Sequence, residues 1–212
     1  MREYASLQLK MNKQVEAARE RIIYVVTAHL DALGYVPCTS ASTERTVAFA
    51  RTDSGWVIFD DCADRLDIHA LDGLARCLTA KLNARAVGIM GSRDGLLLRL
   101  YSDGYLRDTF ISSKRAFKAV PARMGCHGHA IRWRGVLNKN AGIREMSDAF
   151  LEIKKQPDKG LQEFCRLLSL DQSATYGFAS IEDANLQGVV TMYFHASNRI
   201  RQRWFDRFLR LP

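Results

Sequence analysis

Three short polar turns separate apolar, β-rich runs in the first half of the chain, and they constrain how it can fold. The turn Thr52–Gly55 joins the runs Arg45–Arg51 and Trp56–Asp60. Gly91–Gly95 and Ser102–Gly104 are turns of the same kind farther along the chain. Glycine in such a turn tolerates the left-handed backbone that hairpin connections require. The pattern therefore predicts hairpins and a mainly antiparallel sheet.

The remaining elements follow from the spacing of apolar residues. Further strands are predicted at Ala84–Met90, Leu96–Tyr101, Tyr105–Ile111 and Val189–Phe194. Helices are predicted where apolar residues recur every three or four positions, at Asn12–Leu33, Asp67–Leu82, Gly142–Lys155, Gly160–Leu168 and Ser197–Leu209. Asp67 is expected to cap the N-terminus of its helix, and Gly34 is expected to end the first helix.

These elements predict an α+β protein with a mainly antiparallel sheet of five or six strands and helices packed on one face. We expect residues 1–212 to form a single domain. Within it, residues 1–112 form a helix followed by a β-β-α-β-β-β core, and residues 113–140 form a basic loop region. Residues 141–212 are predicted to be a mainly helical portion with a late strand and a basic C-terminal helix.

Positive charge is concentrated in two segments. The chain carries a formal net charge of +8, from 31 basic and 23 acidic side chains. Ser113–Asn140 contains seven basic residues and no acidic one, and Ala196–Pro212 contains five arginines and one aspartate. Such segments attract nucleic acid, acidic proteins or anionic lipid. The alternative interpretation is an ordinary solvated surface, with the aromatic residues of the C-terminal helix packed on the core.

The expected partner contacts include residues of both charges. The basic contacts are Arg132, Arg134, Arg203 and Arg207. The acidic contacts are Asp60, Asp61 and Asp64, which follow a predicted strand in a segment that we expect to be exposed. Carboxylates in this position can also hold Mg²⁺ or act as an acid–base pair, although a solvated loop is the simpler interpretation.

Cys126, His127 and His129 form a second candidate cluster, because thiol and imidazole groups are ligands for transition metals. A metal site would need a further ligand from a distant part of the chain, so we assign no metal or other cofactor. A polar loop that contacts phosphate through protonated histidine is the alternative interpretation.

Several classes of protein are disfavoured by the motifs that the sequence lacks. It has no phosphate-binding loop, no dinucleotide fingerprint and no Gly-x-Ser-x-Gly nucleophile turn. Its five cysteines are scattered and include no Cys-x-x-Cys pair. The apolar runs are much shorter than the ~20 residues of a membrane span, and the N-terminus does not resemble a signal peptide. We therefore expect a cytoplasmic protein in a reducing compartment.

The segment Gly55–Ser112 resembles small bacterial cytosolic α+β proteins of the toxin-immunity type. The resemblance lies in Trp56–Asp60, Leu74–Leu82, Ala86–Met90, Leu96–Gly104 and Tyr105–Phe110, together with the leucine-rich Phe164–Asp171. It implies a non-enzymatic protein that binds a cognate bacterial toxin and blocks its active site. Immunity proteins are often acidic, whereas this chain is basic.

Two further hypotheses remain open. The first is a nucleic-acid- or ribosome-associated protein that uses the same basic segments. The second is a small Cys/His metalloprotein or enzyme centred on Cys126, His127 and His129.

Overall fold

The computed structural model describes residues 3–11, 18–117, 120, 126–183 and 186–197. Its centre is one sheet of eight strands. The strands are β1 (Tyr4–Lys10), β2 (Tyr35–Pro37), β3 (Arg45–Thr52), β4 (Gly55–Asp60), β5 (Arg85–Ser92), β6 (Gly95–Ser102), β7 (Tyr105–Ile111) and β8 (Gln187–Ala196). The helices are α1 (Ala18–Ala32), α2 (Asp61–Asp64), α3 (Ile68–Leu82), α4 (Ala130–Trp133), α5 (Ile143–Lys155), α6 (Pro157–Leu168) and α7 (Ser180–Asp183).

The strands lie in the order β2-β8-β3-β4-β1-β5-β6-β7, and every neighbouring pair is antiparallel. The N-terminal strand β1 is therefore an interior strand. It pairs with β4 on one side and with β5 on the other. It joins the hairpin β3–β4 to the meander β5–β6–β7.

The predicted turns and caps form as the sequence indicates. Asp103 and Gly104 connect β6 to β7 with φ values of +56° and +80°, which is the backbone that a tight hairpin turn needs. The Asp67 carboxylate accepts hydrogen bonds from the backbone N–H groups of His69 and Ala70, so it caps α3 as predicted. Gly34, with φ of +83°, follows the end of α1.

The prediction of five or six strands is wrong, because the sheet has eight. The two strands that the sequence analysis missed are β1 and β2. β1 carries the polar side chains Ser6 and Gln8 at buried positions, which conceals its burial in the sequence. β2 has only three residues and ends at a proline.

The expectation of a helical C-terminal half is also wrong. The last described element is the ten-residue strand β8, which lies between β2 and β3 in the sheet. The predicted strand Val189–Phe194 is the middle of this longer strand. The part of the predicted final helix from residue 198 onward lies outside the described residues, as do residues 12–17 at the start of the predicted first helix.

Helices cover both faces of the sheet, which corrects the prediction of helices on one face. α1 and α3 pack on one face, against residues such as Leu7, Ile58 and Ala86. The helices α4, α5 and α6 pack on the other face, against residues such as Val87 and Leu98. The central strands β5 and β6 are buried on both faces, so their apolar runs show no alternation with polar residues.

Polar side chains of β1 hold the second helical layer. Gln8 donates from Nε2 to the carbonyl of Asp171 (2.9 Å), and its Oε1 accepts the N–H of the same residue (3.1 Å). Lys10 donates from Nζ to the carbonyls of Val136 (2.8 Å) and Leu168. Burial lowers the pKa of Lys10 to about 8. The interior strand is therefore tied to the ends of α4 and α6 by hydrogen bonds as well as by apolar contact.

A buried ion pair fixes α3 to the meander. Arg99 of β6 is only 2% exposed and donates to Asp72 Oδ1 on α3. The hydroxyl of Tyr101 donates to the same oxygen, at 2.5 Å. Removing one partner of such a pair leaves the other charge buried without compensation, which is costly.

Replacing Asp72 with alanine is expected to lower the free energy of unfolding by about 3 kcal/mol, because Arg99 loses its carboxylate partner. Equilibrium urea unfolding measures this change. The matched control is Glu163→Ala, which removes an ion pair with Arg166 on the exposed surface of α6 and should cost less than about 1 kcal/mol. Equal losses in the two variants would contradict a special role for the buried pair.

Candidate functional site

A cleft of about 610 Å³ opens at the end of the meander where β6 turns into β7. Three arginines from different elements line it, namely Arg85 of β5, Arg107 of β7 and Arg132 of α4. Leu100, Leu106 and Val136 provide its apolar surface. We refer to this feature as the arginine cleft.

Backbone and side-chain contacts restrict all three guanidinium groups. Arg85 Nη1 donates to the carbonyl of Gly135, and a side chain at position 135 would overlap that guanidinium. Arg107 Nη2 donates to Asp103 Oδ2 at 2.9 Å. Arg132 Nη1 donates to the carbonyl of Arg107 at 3.1 Å. The side chains of Arg107 and Arg132 nevertheless remain about half exposed.

A buried carboxylate beneath the cleft positions α4. Asp108 Oδ2 accepts the N–H of His129 (2.7 Å) and the indole N–H of Trp133 (2.6 Å). Its other oxygen lies 3.5 Å from Arg132 Nη1. Asp108 therefore connects the edge strand β7 to the helix that carries Arg132.

The lining of the cleft has an excess of positive charge. Among its described residues, three guanidinium groups face one carboxylate, Asp103. Hydrogen bonds from Ser102 and Arg107 lower the pKa of Asp103, so it is ionised at neutral pH. The remaining guanidinium N–H groups suit carboxylate or phosphate oxygens, which accept paired hydrogen bonds from arginine.

Of the two predicted basic contacts that the structure describes, one lies in the cleft. Arg132 lines it, and Arg134 is exposed at the end of α4 outside the lining. Arg203 and Arg207 lie outside the described residues. Sequence reasoning missed Arg85 and Arg107, since they belong to strands whose pairing brings them together only in three dimensions.

The predicted acidic contacts are engaged within the fold. Asp60 is buried and pairs with Arg45 through an Oδ2–Nη2 distance of 2.5 Å, and its Oδ1 accepts the N–H of Cys62. Burial raises the pKa of Asp60, and the Arg45 guanidinium opposes this shift. Asp61 lies 3.6 Å from the exposed Arg65. The segment after β4 is thus the short helix α2, which the buried Asp60 caps, rather than an exposed loop.

Asp64 joins three parts of the molecule. Its Oδ1 accepts the N–H of Ala5 in β1 (2.7 Å), and its Oδ2 accepts the N–H of Phe178 (3.0 Å). Gly177 lies so close that a Cβ there would be 2.5 Å from Oδ1. Burial raises the pKa of Asp64 to about 6, although the two backbone hydrogen bonds favour its ionised form.

Within the described part of the chain, a compact cluster of metal-ligand side chains exists, but it does not include Cys126, His127 or His129. That cluster consists of Asp60, Asp61 and Cys62, whose ligand atoms lie within 4.8 Å of one another. The Arg45 guanidinium already occupies one side of Asp60. His127 instead forms a β-bridge with Phe110 at the edge of β7, and Cys126 is buried beside it.

Comparisons with protein-family models, curated proteins and solved structures found no match for this chain. None of the helices within the described residues has the length and apolar character needed to cross a bilayer. The arginine cleft must therefore be interpreted from its own geometry and charge.

The burial of Asp64 predicts a specific pH dependence of stability. Its pKa is raised from the usual 3.8 to about 6, so the folded protein binds a proton at a higher pH than the unfolded chain does. The stabilisation from Asp64 should therefore be present at low pH and be lost as the pH rises through about 6. When the pH is lowered from neutral, the wild type should therefore gain stability relative to the variant Asp64→Asn. Urea unfolding of both proteins across this pH range measures the change. A difference that does not change with pH would contradict the assignment.

Proposed function

We propose that this protein is a binding protein that docks an acidic surface of a partner protein into the arginine cleft. The observation that carries the proposal is the convergence of Arg85, Arg107 and Arg132 on one concave surface. Their hydrogen bonds to backbone carbonyls and to Asp103 limit their motion. A preorganised arginine loses less conformational freedom on binding, so more of the interaction energy appears as affinity.

Exposed apolar side chains beside the guanidinium groups favour a protein partner. Tyr105 is 62% exposed, and its ring lies 5.3 Å from the guanidinium carbon of Arg107. Ile131, next to Arg132 in α4, is 58% exposed. Tyrosine and arginine are the residue types that dominate binding energy at protein interfaces, where they anchor in desolvated contacts.

Neutralisation of a bacterial toxin is the specific form of this proposal that the sequence resemblance suggests. The inward-facing Asp60 and the tethered Asp64 leave the basic cleft to carry recognition. We also propose a cytoplasmic location. The free thiols of Cys38, Cys62, Cys77 and Cys165 agree with a reducing compartment.

The test is co-expression with the product of the adjacent gene, followed by gel filtration, measurement of Kd and a cell-survival assay. A stable complex that protects cells is expected. The double variant Arg107→Gln/Arg132→Gln should weaken Kd at least about tenfold, since each arginine contributes at a desolvated contact. Arg144→Gln, which changes an exposed arginine on α5, is the control and should bind like wild type.

Two results would overturn the proposal. The first is the absence of a complex and of protection. The second is a complex whose affinity is unchanged in the double variant, which would place the interface elsewhere. Duplex nucleic acid should be tested in parallel, because phosphate contacts give an affinity that falls steeply with salt. Tight, salt-sensitive binding of a duplex that the double variant abolishes would replace the protein partner with nucleic acid.

A further inference from the structure

A second cavity, of about 270 Å³, lies at the opposite end of β5 and β6 from the arginine cleft. Three connections enclose it: the turn between β5 and β6, the segment after β7, and the turn between α5 and α6. Tyr4, the first residue of β1, also lines it. We refer to this cavity as the tyrosine pocket. Its volume is close to the lower end of the range for small-molecule sites, about 300–1,000 Å³, so its occupant must be small.

Tyr4 gives the pocket a buried polar group. The residue is only 4% exposed, and its ring lies on Gly91, where any side chain would overlap it. The ring of Tyr176 packs edge-on against it, with centroids 5.2 Å apart. The hydroxyl of Tyr4 has no hydrogen-bond partner among the described residues, and the side chain lines the pocket. The hydroxyl oxygen is not one of the fully buried atoms that lack a partner, so it is open to the pocket and can donate or accept a hydrogen bond there.

The Tyr4 hydroxyl remains a neutral phenol. Burial raises its pKa, and the nearby groups Tyr176 and Asp158 raise it further. The group can therefore donate one hydrogen bond and accept others at any physiological pH.

Hydroxyl groups and charges of both signs complete the lining. Ser112 Oγ accepts the N–H of Leu96 at 2.8 Å, which leaves its own proton free to be donated. Arg93 and Lys154 supply two positive charges, while Asp94 and Asp158 supply two negative charges. Lys154 Nζ lies 5.7 Å from the centroid of the Phe110 ring, which helps to hold the ammonium group in place. The formal charge of these four side chains is zero.

A ligand that matches this lining carries both charges itself. A ligand carboxylate would find Arg93, Lys154 and the beginning of α6, where the helix dipole favours an anion. A ligand ammonium would find Asp158 and the lone pairs of the Tyr4 oxygen. Leu96 and Ile153 offer apolar surface to a side chain.

We propose that the tyrosine pocket binds a free α-amino acid, with its ammonium group toward Tyr4 and Asp158 and its carboxylate toward Arg93 and Lys154. This site is separate from the arginine cleft and does not depend on the function proposed for it.

Isothermal titration calorimetry of the full chain with each proteinogenic amino acid at millimolar concentration tests the proposal. At least one amino acid is expected to bind at one site per chain. For that amino acid, the analogue without the ammonium group and the methyl ester without the carboxylate charge should each bind at least about tenfold more weakly, because each loses a charge-assisted contact.

Two variants locate the binding. Tyr4→Phe removes only the hydroxyl, and Lys154→Gln removes an exposed positive charge; each should weaken Kd about tenfold. Arg107→Gln/Arg132→Gln alters the other cleft and should leave amino-acid binding unchanged. Circular dichroism checks that Tyr4→Phe is folded, and Lys154→Gln decides the outcome if it is not.

The proposal is overturned if no amino acid binds, or if Tyr4→Phe (when folded) and Lys154→Gln both bind like wild type. Equal binding of the analogue without the ammonium group would also overturn it, because the pocket would then be a simple anion site.

Discussion

The insertion of β1 between β4 and β5 is the constraint on which the rest of this structure depends. Without it, the hairpin β3–β4 and the meander β5–β6–β7 would have no shared strand. The same strand holds the second helical layer, because the side chains of Gln8 and Lys10 reach carbonyls at the ends of that layer. A buried glutamine and a half-buried ammonium are costly unless they are hydrogen-bonded, and here both are.

Both candidate sites are consequences of this arrangement. Tyr4, at the first residue of β1, lines the tyrosine pocket, and Lys10, at its last, bonds the carbonyl of Val136 in the wall of the arginine cleft. The two sites thus lie near opposite ends of one strand. In the arginine cleft, the buried carboxylate of Asp108 supports the exposed guanidinium group of Arg132. Rigid support of this kind keeps charged groups oriented before a partner arrives.

Local chemistry made part of this structure predictable. The turn at Asp103 and Gly104 and the cap at Asp67 depend on residues a few positions away, so the sequence alone indicates them. The place of β1 depends on pairing with strands far along the chain, which no short pattern contains. Of the three arginines in the cleft, the sequence indicated only Arg132. Arg85 and Arg107 come close to it through the pairing of their strands, which the local sequence does not reveal. Asp60 was predicted to be exposed. Its burial depends on pairing with Arg45 on another strand, and this pairing is not visible in the local sequence.

The position of β8 has a consequence for how the chain is made. The long strand that lies between β2 and β3 is the last described element, and Thr43 bonds the carbonyl of Phe194 across 151 residues of sequence. During synthesis, β3 leaves the ribosome long before the strand that will cover its outer edge. Until then the nascent chain presents an open row of backbone donors and acceptors, which is the feature that promotes association between unfinished chains. β3 is therefore paired along both of its edges only once β8 has been synthesised.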